Sequence, residues 1–328
     1  MSDCLVSFQP ESGFSKWMNN NLDLSVQLAP KHKKGLLLSN PVMTASGTFG
    51  YGTEYSHMFD IQKLGAIICK GTTLEPREGN PQPRVTETAS GMLNSIGLQN
   101  IGIDALINEK APIWASWQVP VIVNIAGETI DDYVRLAAKI NGVSGVSGIE
   151  INISCPNVKA GGAEFGIHPD SASRVTAAVK VATSLPILVK LTPTTGEIRN
   201  IAIAVAEAGA DAISLINTLR GMAIDVSQRR PLLGNVTGGL SGPAIKPIAL
   251  SMVYEVVGAV DLPVIGCGGI VSGKDAIEYI MAGASAVQVG ATNFINPQAP
   301  LDILEEIEDF LKLEKIIQLT DLIGVARR

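Results

Sequence analysis

The chain has 328 residues, 46% hydrophobic and 17% charged, enough apolar material for one large α/β domain or two smaller ones. Acidic residues outnumber basic ones, 31 to 25, for a formal net charge of -6, and the densest basic run, Lys31-His32-Lys33-Lys34, suits a solvated turn better than a nucleic-acid patch. Four scattered cysteines (Cys4, Cys69, Cys155 and Cys267) exclude a disulfide framework and a self-held iron–sulfur centre, and no apolar stretch reaches membrane-spanning length.

Residues 1–40 are polar and read as an N-terminal extension ending in a hairpin near 22–28 and 35–38. The start carries no basic segment with an apolar run behind it, so a cytoplasmic location is expected. Apolar runs then alternate with amphipathic ones. Strands are expected at 41–46, 65–70, 120–124, 148–153, 186–190, 212–217, 263–266 and 284–289. Helical patterns fall at 131–140, 169–183, 197–208, 243–257, 273–282 and 300–313. Alternation carried to eight strands predicts an α/β fold, a (β/α)8 TIM barrel over 41–313, followed by a C-terminal segment at 314–328, all in one domain. A Rossmann sheet would want Gly-x-Gly-x-x-Gly after its first strand, and none is there. Two connections, 71–118 and 218–242, are too long to be plain turns. Both follow the C-terminal ends of strands, where barrels build their sites.

The fourth strand is the most informative. Ile149, Ile151 and Ile153 alternate with Glu150 and Asn152, and buried polar groups at that spacing are costly unless satisfied. Pro156 ends the ladder and leaves Cys155 at the rim. Gly161, Gly162 and Gly166 make the segment 156–166 a candidate lid. Cys155 on its own fits two readings, a catalytic thiol or a buried structural cysteine.

The last positions of the strands read Ser46, Lys70, Asn124, Asn152, Lys190 and Asn217, then Gly268-Gly269 and Gly290. Singly, each lysine could snorkel and each asparagine could form a turn. Together they would set two cations and three amides over an apolar core, which a polar, anionic ligand would satisfy. The glycines ending strands seven and eight suit a phosphate, though turn glycines look the same. His32, His57 and His168 share no strand end, so no metal site is expected. A Schiff-base lysine at Lys190 is the remaining barrel chemistry.

Six segments carry a resemblance to a known family. They are Pro41-Val-Met-Thr-Ala-Ser-Gly47, Lys70-Gly-Thr-Thr73, Met92-Leu-Asn-Ser-Ile-Gly-Leu-Gln-Asn100, Asn152-Ile-Ser-Cys-Pro-Asn157, Ile216-Asn-Thr218 and Gly238-Gly-Leu-Ser-Gly-Pro-Ala-Ile-Lys-Pro247. In this order they resemble the dihydroorotate dehydrogenases, from about residue 36 to about 313. The cysteine in Ser-Cys-Pro-Asn resembles the soluble class 1 enzymes, and Asn157-Val-Lys-Ala-Gly-Gly looks like class 1B. The extension before Leu22 is longer than that class leads one to expect.

The resemblance implies oxidation of dihydroorotate to orotate in pyrimidine biosynthesis. Cys155 would remove the C5 proton, and the C6 hydride would pass to N5 of FMN. Lys70, Asn94, Ser95, Ile96, Gly97, Leu98, Asn152, Asn217 and Thr218 look like substrate contacts. Ser46, Lys70, Gly71, Asn124, Asn152, Lys190 and Ile216 look like flavin contacts, with Gly242, Gly268, Gly269, Gly290 and Ala291 on the phosphate. Class 1B further implies a homodimer of this chain at the core of a heterotetramer. Its partner subunit carries FAD and a 2Fe–2S cluster, and NAD⁺ is the final acceptor. The alternatives are a class 1A-type homodimer that uses fumarate, and a non-catalytic flavin-binding subunit. Elementary chemistry agrees with the roles. A thiol near pKa 8.5 becomes a usable base when cations or dipoles lower it. A lysine beside the flavin's pyrimidine end would stabilise its anionic reduced form.

Overall fold

The computed structural model describes residues 22–154 and 165–327. Eight short parallel strands form its centre: β1 Val42–Thr44, β2 Ile67–Ile68, β3 Val121–Ile125, β4 Gly148–Asn152, β5 Ile187–Leu191, β6 Ala212–Leu215, β7 Val264–Cys267 and β8 Ala286–Val289. Each pairs with its neighbour in sequence, and β8 pairs with β1 through Val287 and Val42. A parallel bridge between Met43 and Ala66 closes the ring. All eight expected strands are present, so the alternation in the sequence identified the (β/α)8 barrel.

Among the described residues, six helices cover the outside: α1 Ile130–Ile140, α2 Pro169–Ala182, α3 Ile198–Glu207, α4 Lys246–Val257, α5 Gly273–Met281 and α6 Ala299–Glu314. Their starts follow from local chemistry. Thr129 and Asp132 form a reciprocal capping box on α1, and Ser272 and Asp275 do the same on α5. Pro169 opens α2, where the amide it lacks would be unpaired anyway. The buried face of α1, namely Tyr133, Leu136, Ala137 and Ile140, has the 3.6-residue spacing of a helix packed on a sheet.

The expected hairpin pairs Val26–Gln27 with Leu37–Leu38. It lies across the N-terminal end of the barrel. Leu28 and Leu38 are fully buried, and Lys31 and Lys34 reach Asp261 and Ser184 just ahead of β7 and β5. The C-terminal segment packs too: Leu319 and Leu322 are buried, and Leu319 donates to the Asp23 carbonyl.

The two long connections, expected to be more than plain turns, contain regular structure of their own. Val85–Thr88 and Gly91–Asn94 from the first join Leu219–Met222 and Thr237–Ser241 from the second in one four-stranded antiparallel sheet. The first connection also contains consecutive helical turns, Gly102–Ala105, Leu106–Lys110 and Ala111–Trp114. They are anchored by Trp114, whose indole N–H donates to the Tyr51 carbonyl at 2.9 Å.

Cys69, just past β2, has no exposed surface. Burial pushes its thiol up from 9.0 to about 12. The unfolded chain therefore releases this proton first. The thiol's contribution is complete below pH 9.0 and is lost toward pH 12, with a slope of about 1.4 kcal/mol per pH unit. Denaturant titrations should show wild-type stability falling faster than that of Cys69→Ala between those limits. Parallel curves would mean that the thiol already ionises in the folded protein.

Candidate active site

The floor of the site is a carboxylate inside the barrel. Glu150 on β4 is fully buried. It accepts hydrogen bonds from Asn124 Nδ2 of β3 at 2.7 Å, Ser214 Oγ of β6 at 2.8 Å and Gln288 Nε2 of β8 at 2.7 Å. Four strands thus supply one closed polar cluster, as a buried carboxylate requires. The carbonyl of Gln288 in turn accepts from Lys190 Nζ of β5 at 3.1 Å, and Lys190 also reaches Ser46 Oγ at 3.4 Å. Burial alone would lower the Lys190 ammonium. The charge of Glu150, helped by Cys267, outweighs it and holds the group above the ordinary lysine range.

A second tier stands on the first. Asn152 Nδ2 lies 3.4 Å from Asn124 Oδ1. The Asn152 carbonyl oxygen, Oδ1, accepts from Ser154 Oγ at 2.9 Å, and Asn217 Nδ2 donates to Ser154 Oγ at 2.7 Å. Tyr133 of α1 pins the strand end from outside by donating to the Asn152 backbone carbonyl at 2.8 Å. Asn217 Oδ1 accepts the Thr218 amide at 2.8 Å. Thr218 packs on Gly239 of the antiparallel sheet, where a Cβ would fall 1.9 Å from its hydroxyl. Asn94 Nδ2 reaches the Gly239 carbonyl at 3.3 Å. The sheet therefore meets the barrel's polar ring through Asn94, Gly239 and Thr218.

Lys70, past the end of β2, is half-buried. Its ammonium makes no hydrogen bond or ion pair to the described residues. Burial, then the nearby Arg84 cation, holds it below the ordinary range, with Glu54 opposing. A partly desolvated cation without a close counter-ion is a ready anion site. Beside it, a Cβ on Gly71 would sit 3.0 Å from Asn124 Oδ1 and 3.3 Å from Leu98. The bare backbone of Gly71 thus lies close against both the ring and the loop.

Three glycine turns gather at the other side of the mouth. Gly268 and Gly269 follow β7 with φ of 140° and 66°, and Gly242 precedes Pro243 with φ of 98°. A Cβ on Gly269 would lie 2.8 Å from the Gly242 carbonyl, and Thr292 Oγ1 donates to the Ile270 carbonyl at 2.9 Å, tying the turns after β7 and β8 together. Ile216 packs against Gly268, and Ala291 opens the helical turn after Gly290. Bare backbone at the ends of β7 and β8, with a lysine that has no partner among the described residues, suits a phosphorylated ligand.

Most of the residues expected at the mouth therefore come together: Ser46, Lys70, Gly71, Asn124, Asn152, Lys190, Ile216, Asn217, Thr218, Asn94 and Leu98. Ser95, Ile96 and Gly97 turn aside. The Ser95 hydroxyl accepts from Asn80 at 3.1 Å, the Ile96 carbonyl accepts the Asn80 amide, and Gly97 packs on Asn80. Gly97 and Leu98 join Arg77, Glu78, Gly79 and Asn80 around a cavity of about 300 Å³. Cys155 and most of the segment 156–166 lie outside the described residues, which stop at Ser154 and resume at Phe165. Sequence reasoning missed Ser154, Ser214 and Gln288 and left Glu150 without a role. Only Glu150 gave a signal, as an acid on the inner face of an apolar strand.

Fold and site together define a (β/α)8 barrel with a polar, cationic mouth. The dihydroorotate dehydrogenase family model matches residues 29–311. A protein of Citrifermentans bemidjiense named dihydroorotate dehydrogenase B (NAD(+)), catalytic subunit, is 54% identical over 92% of this chain and 97% of its own length. A protein of the same name from Thermoanaerobacter sp. is 54% identical over 88% of this chain and 96% of its own. Among solved structures, the DHODH of Eimeria tenella in complex with ferulenol superposes with a TM-score of 0.78 at 24% identity, covering 94% of this chain and 90% of that one, which is a likeness of fold. The chain belongs to the dihydroorotate dehydrogenase family of flavin-dependent oxidoreductases.

The glycine turn can be tested directly. At Gly269 a side chain would meet both a left-handed φ and Lys246 Cβ at 2.7 Å. Gly269→Ala should lose about 1–2 kcal/mol, seen as a fall of several degrees in the thermal midpoint. An unchanged midpoint would show that the turn relaxes.

Proposed function

We propose that the protein oxidises (S)-dihydroorotate to orotate in pyrimidine biosynthesis, with FMN as its bound cofactor and NAD⁺ as the final acceptor. The observation that carries the reading is the mouth itself: Lys70, without a hydrogen bond or ion pair among the described residues, beside Asn124, Asn152 and Asn217 bonded in series, in a chain about half identical to proteins named as NAD(+)-dependent catalytic subunits. Lys70 would hold the substrate carboxylate by charge. Asn94, Asn152, Asn217 and Thr218 offer the paired donors and acceptors that an imide-like ring edge needs, with Leu98 closing the substrate side. Cys155, next in the chain after the bonded Ser154, would take the C5 proton.

Ser46, Gly71, Asn124, Asn152, Lys190 and Ile216 would hold the FMN ring, and Gly242, Gly268, Gly269, Gly290 and Ala291 its phosphate. FMN, when bound, supplies the acceptor for the C6 hydride. The route onward to NAD⁺ needs a second protein. This chain has no Gly-x-Gly-x-x-Gly after its first strand, and its cysteines are too scattered to hold a cluster. A partner subunit with FAD and a 2Fe–2S centre fills that role, docked near the flavin edge of a core made of two copies of this chain.

The purified chain should be yellow, or become yellow with added FMN. Dihydroorotate should bleach it, and it should reduce dyes but not NAD⁺ until it is co-expressed with the partner. A protein that stays colourless ends the reading, and efficient fumarate reduction moves the chain to the class 1A type. In stopped-flow experiments, Cys155→Ala should keep FMN and slow its reduction by about 10²–10⁴-fold, the usual weight of a positioned base. Near-normal reduction would remove Cys155 from the mechanism.

A further inference from the structure

Glu150 is fully buried and would meet neither substrate nor cofactor, yet Asn124 bonds it directly and Asn152 and Lys190 are reached through its amide neighbours. A carboxylate can only accept hydrogen bonds when ionised, whereas an amide side chain has one accepting and one donating end. Glu150 therefore decides which way its two amide neighbours face. Asn124 must turn its NH₂ inward at 2.7 Å, so its carbonyl oxygen faces Asn152. Gln288 must do the same at 2.7 Å, so its carbonyl oxygen meets Lys190 at 3.1 Å. The choice propagates. Asn152 spends its NH₂ on Asn124, leaving Oδ1 to accept from Ser154 and Asn217.

We propose that Glu150 is a positioning residue that sets the donor and acceptor polarity of the cofactor-facing ring and holds Lys190 beneath the flavin through Gln288. This rests on the FMN reading above and extends it to residues that never touch the cofactor. Any buried carboxylate needs such donors, so the feature that points to positioning is that two of them, Asn124 and Gln288, pass their carbonyl ends on to Asn152 and Lys190. Among the described residues, the groups facing Lys190 are Gln288 of β8 and Ser46 after β1 by hydrogen bond, with Glu150 of β4 and Cys267 of β7 by charge. Glu150 is the one carboxylate among them.

Glu150→Gln preserves shape and removes both the charge and the accept-only rule. Its new NH₂ must face one of the inward-pointing donors, so at least one amide turns over. Bound FMN should weaken by at least about tenfold. The midpoint potential of bound FMN, followed from about pH 6 to 9, should gain a break absent from wild type, because a buried lysine that loses its carboxylate titrates at lower pH. The swapped pair Glu150→Gln with Gln288→Glu returns a carboxylate beside Lys190 and should abolish the break. Potential curves for Glu150→Gln that superimpose on wild type overturn the proposal, and so does a change that the swapped pair fails to reverse. Should Glu150→Gln not fold, Gln288→Met cuts the same relay next to Lys190 and is judged by the same curve. A wild-type chain that binds no FMN is a different failure, that of the functional reading.

Discussion

A carboxylate with no exposed surface stands at the centre of this barrel, and its neighbours are dictated by the need to satisfy it. Left unpaired, such a group would cost several kcal/mol, comparable to the whole stability of an ordinary domain. Four strands each give up an inward apolar position to prevent that: Asn124, Glu150, Ser214 and Gln288 replace the branched aliphatics that would otherwise fill the layer. Lys190 joins through Gln288, so a positive charge can be held in the same dry interior. Apart from the one from Asn124 on neighbouring β3, the hydrogen bonds run across the inside of the ring between strands that do not pair, from β6 and β8 to β4 and from β5 to β8, so the cluster exists only when the barrel has closed.

Above this layer the strand ends carry further polar groups that stay largely buried, as Asn152, Ser154 and Thr192 show. The antiparallel sheet completes the mouth. It is contributed by two connections more than a hundred residues apart, and its Asn94–Gly239 contact brings them together beside Thr218. Neither connection could make that surface alone, since two strands in water are marginal and four sharing edges are not. Barrel and sheet thus divide the work. The barrel holds the amides and the buried lysine rigidly, while the sheet supplies the wall from the loop side.

The barrel was legible because its signal is periodic. Runs of Val, Ile and Leu spaced by amphipathic helices leave few alternatives, and the strand ends follow once the strands are known. The antiparallel sheet was not legible: Thr237-Gly-Gly-Leu-Ser241 is glycine-rich, and Val85–Thr88 is a short, half-exposed alternation with no core face to mark it. Ser214 and Gln288 were missed for a related reason. Each sits alone in an otherwise apolar strand, and its meaning depends on Glu150, which is 64 and 138 residues away respectively. The departure of Ser95–Gly97 from the ring shows the converse. The motif locates the segment, whereas the pairing of Asn80 with Ser95 decides which side chains face the mouth.

The contacts between Asp23 and the end of the chain have a topological consequence. The Asp23 amide donates to Ile317, and its carbonyl accepts from Leu319, so the two ends of the described chain are stitched together on the side of the molecule away from the mouth. The backbone is in effect a loop with a seam, and the position of that seam carries no chemistry. A circular permutant that joins these ends and opens the chain in an exposed helix–strand turn on the same side would keep every strand neighbour and every mouth residue in place. For a fold whose polar interior forms only on closure, that makes the order of synthesis separable from the architecture.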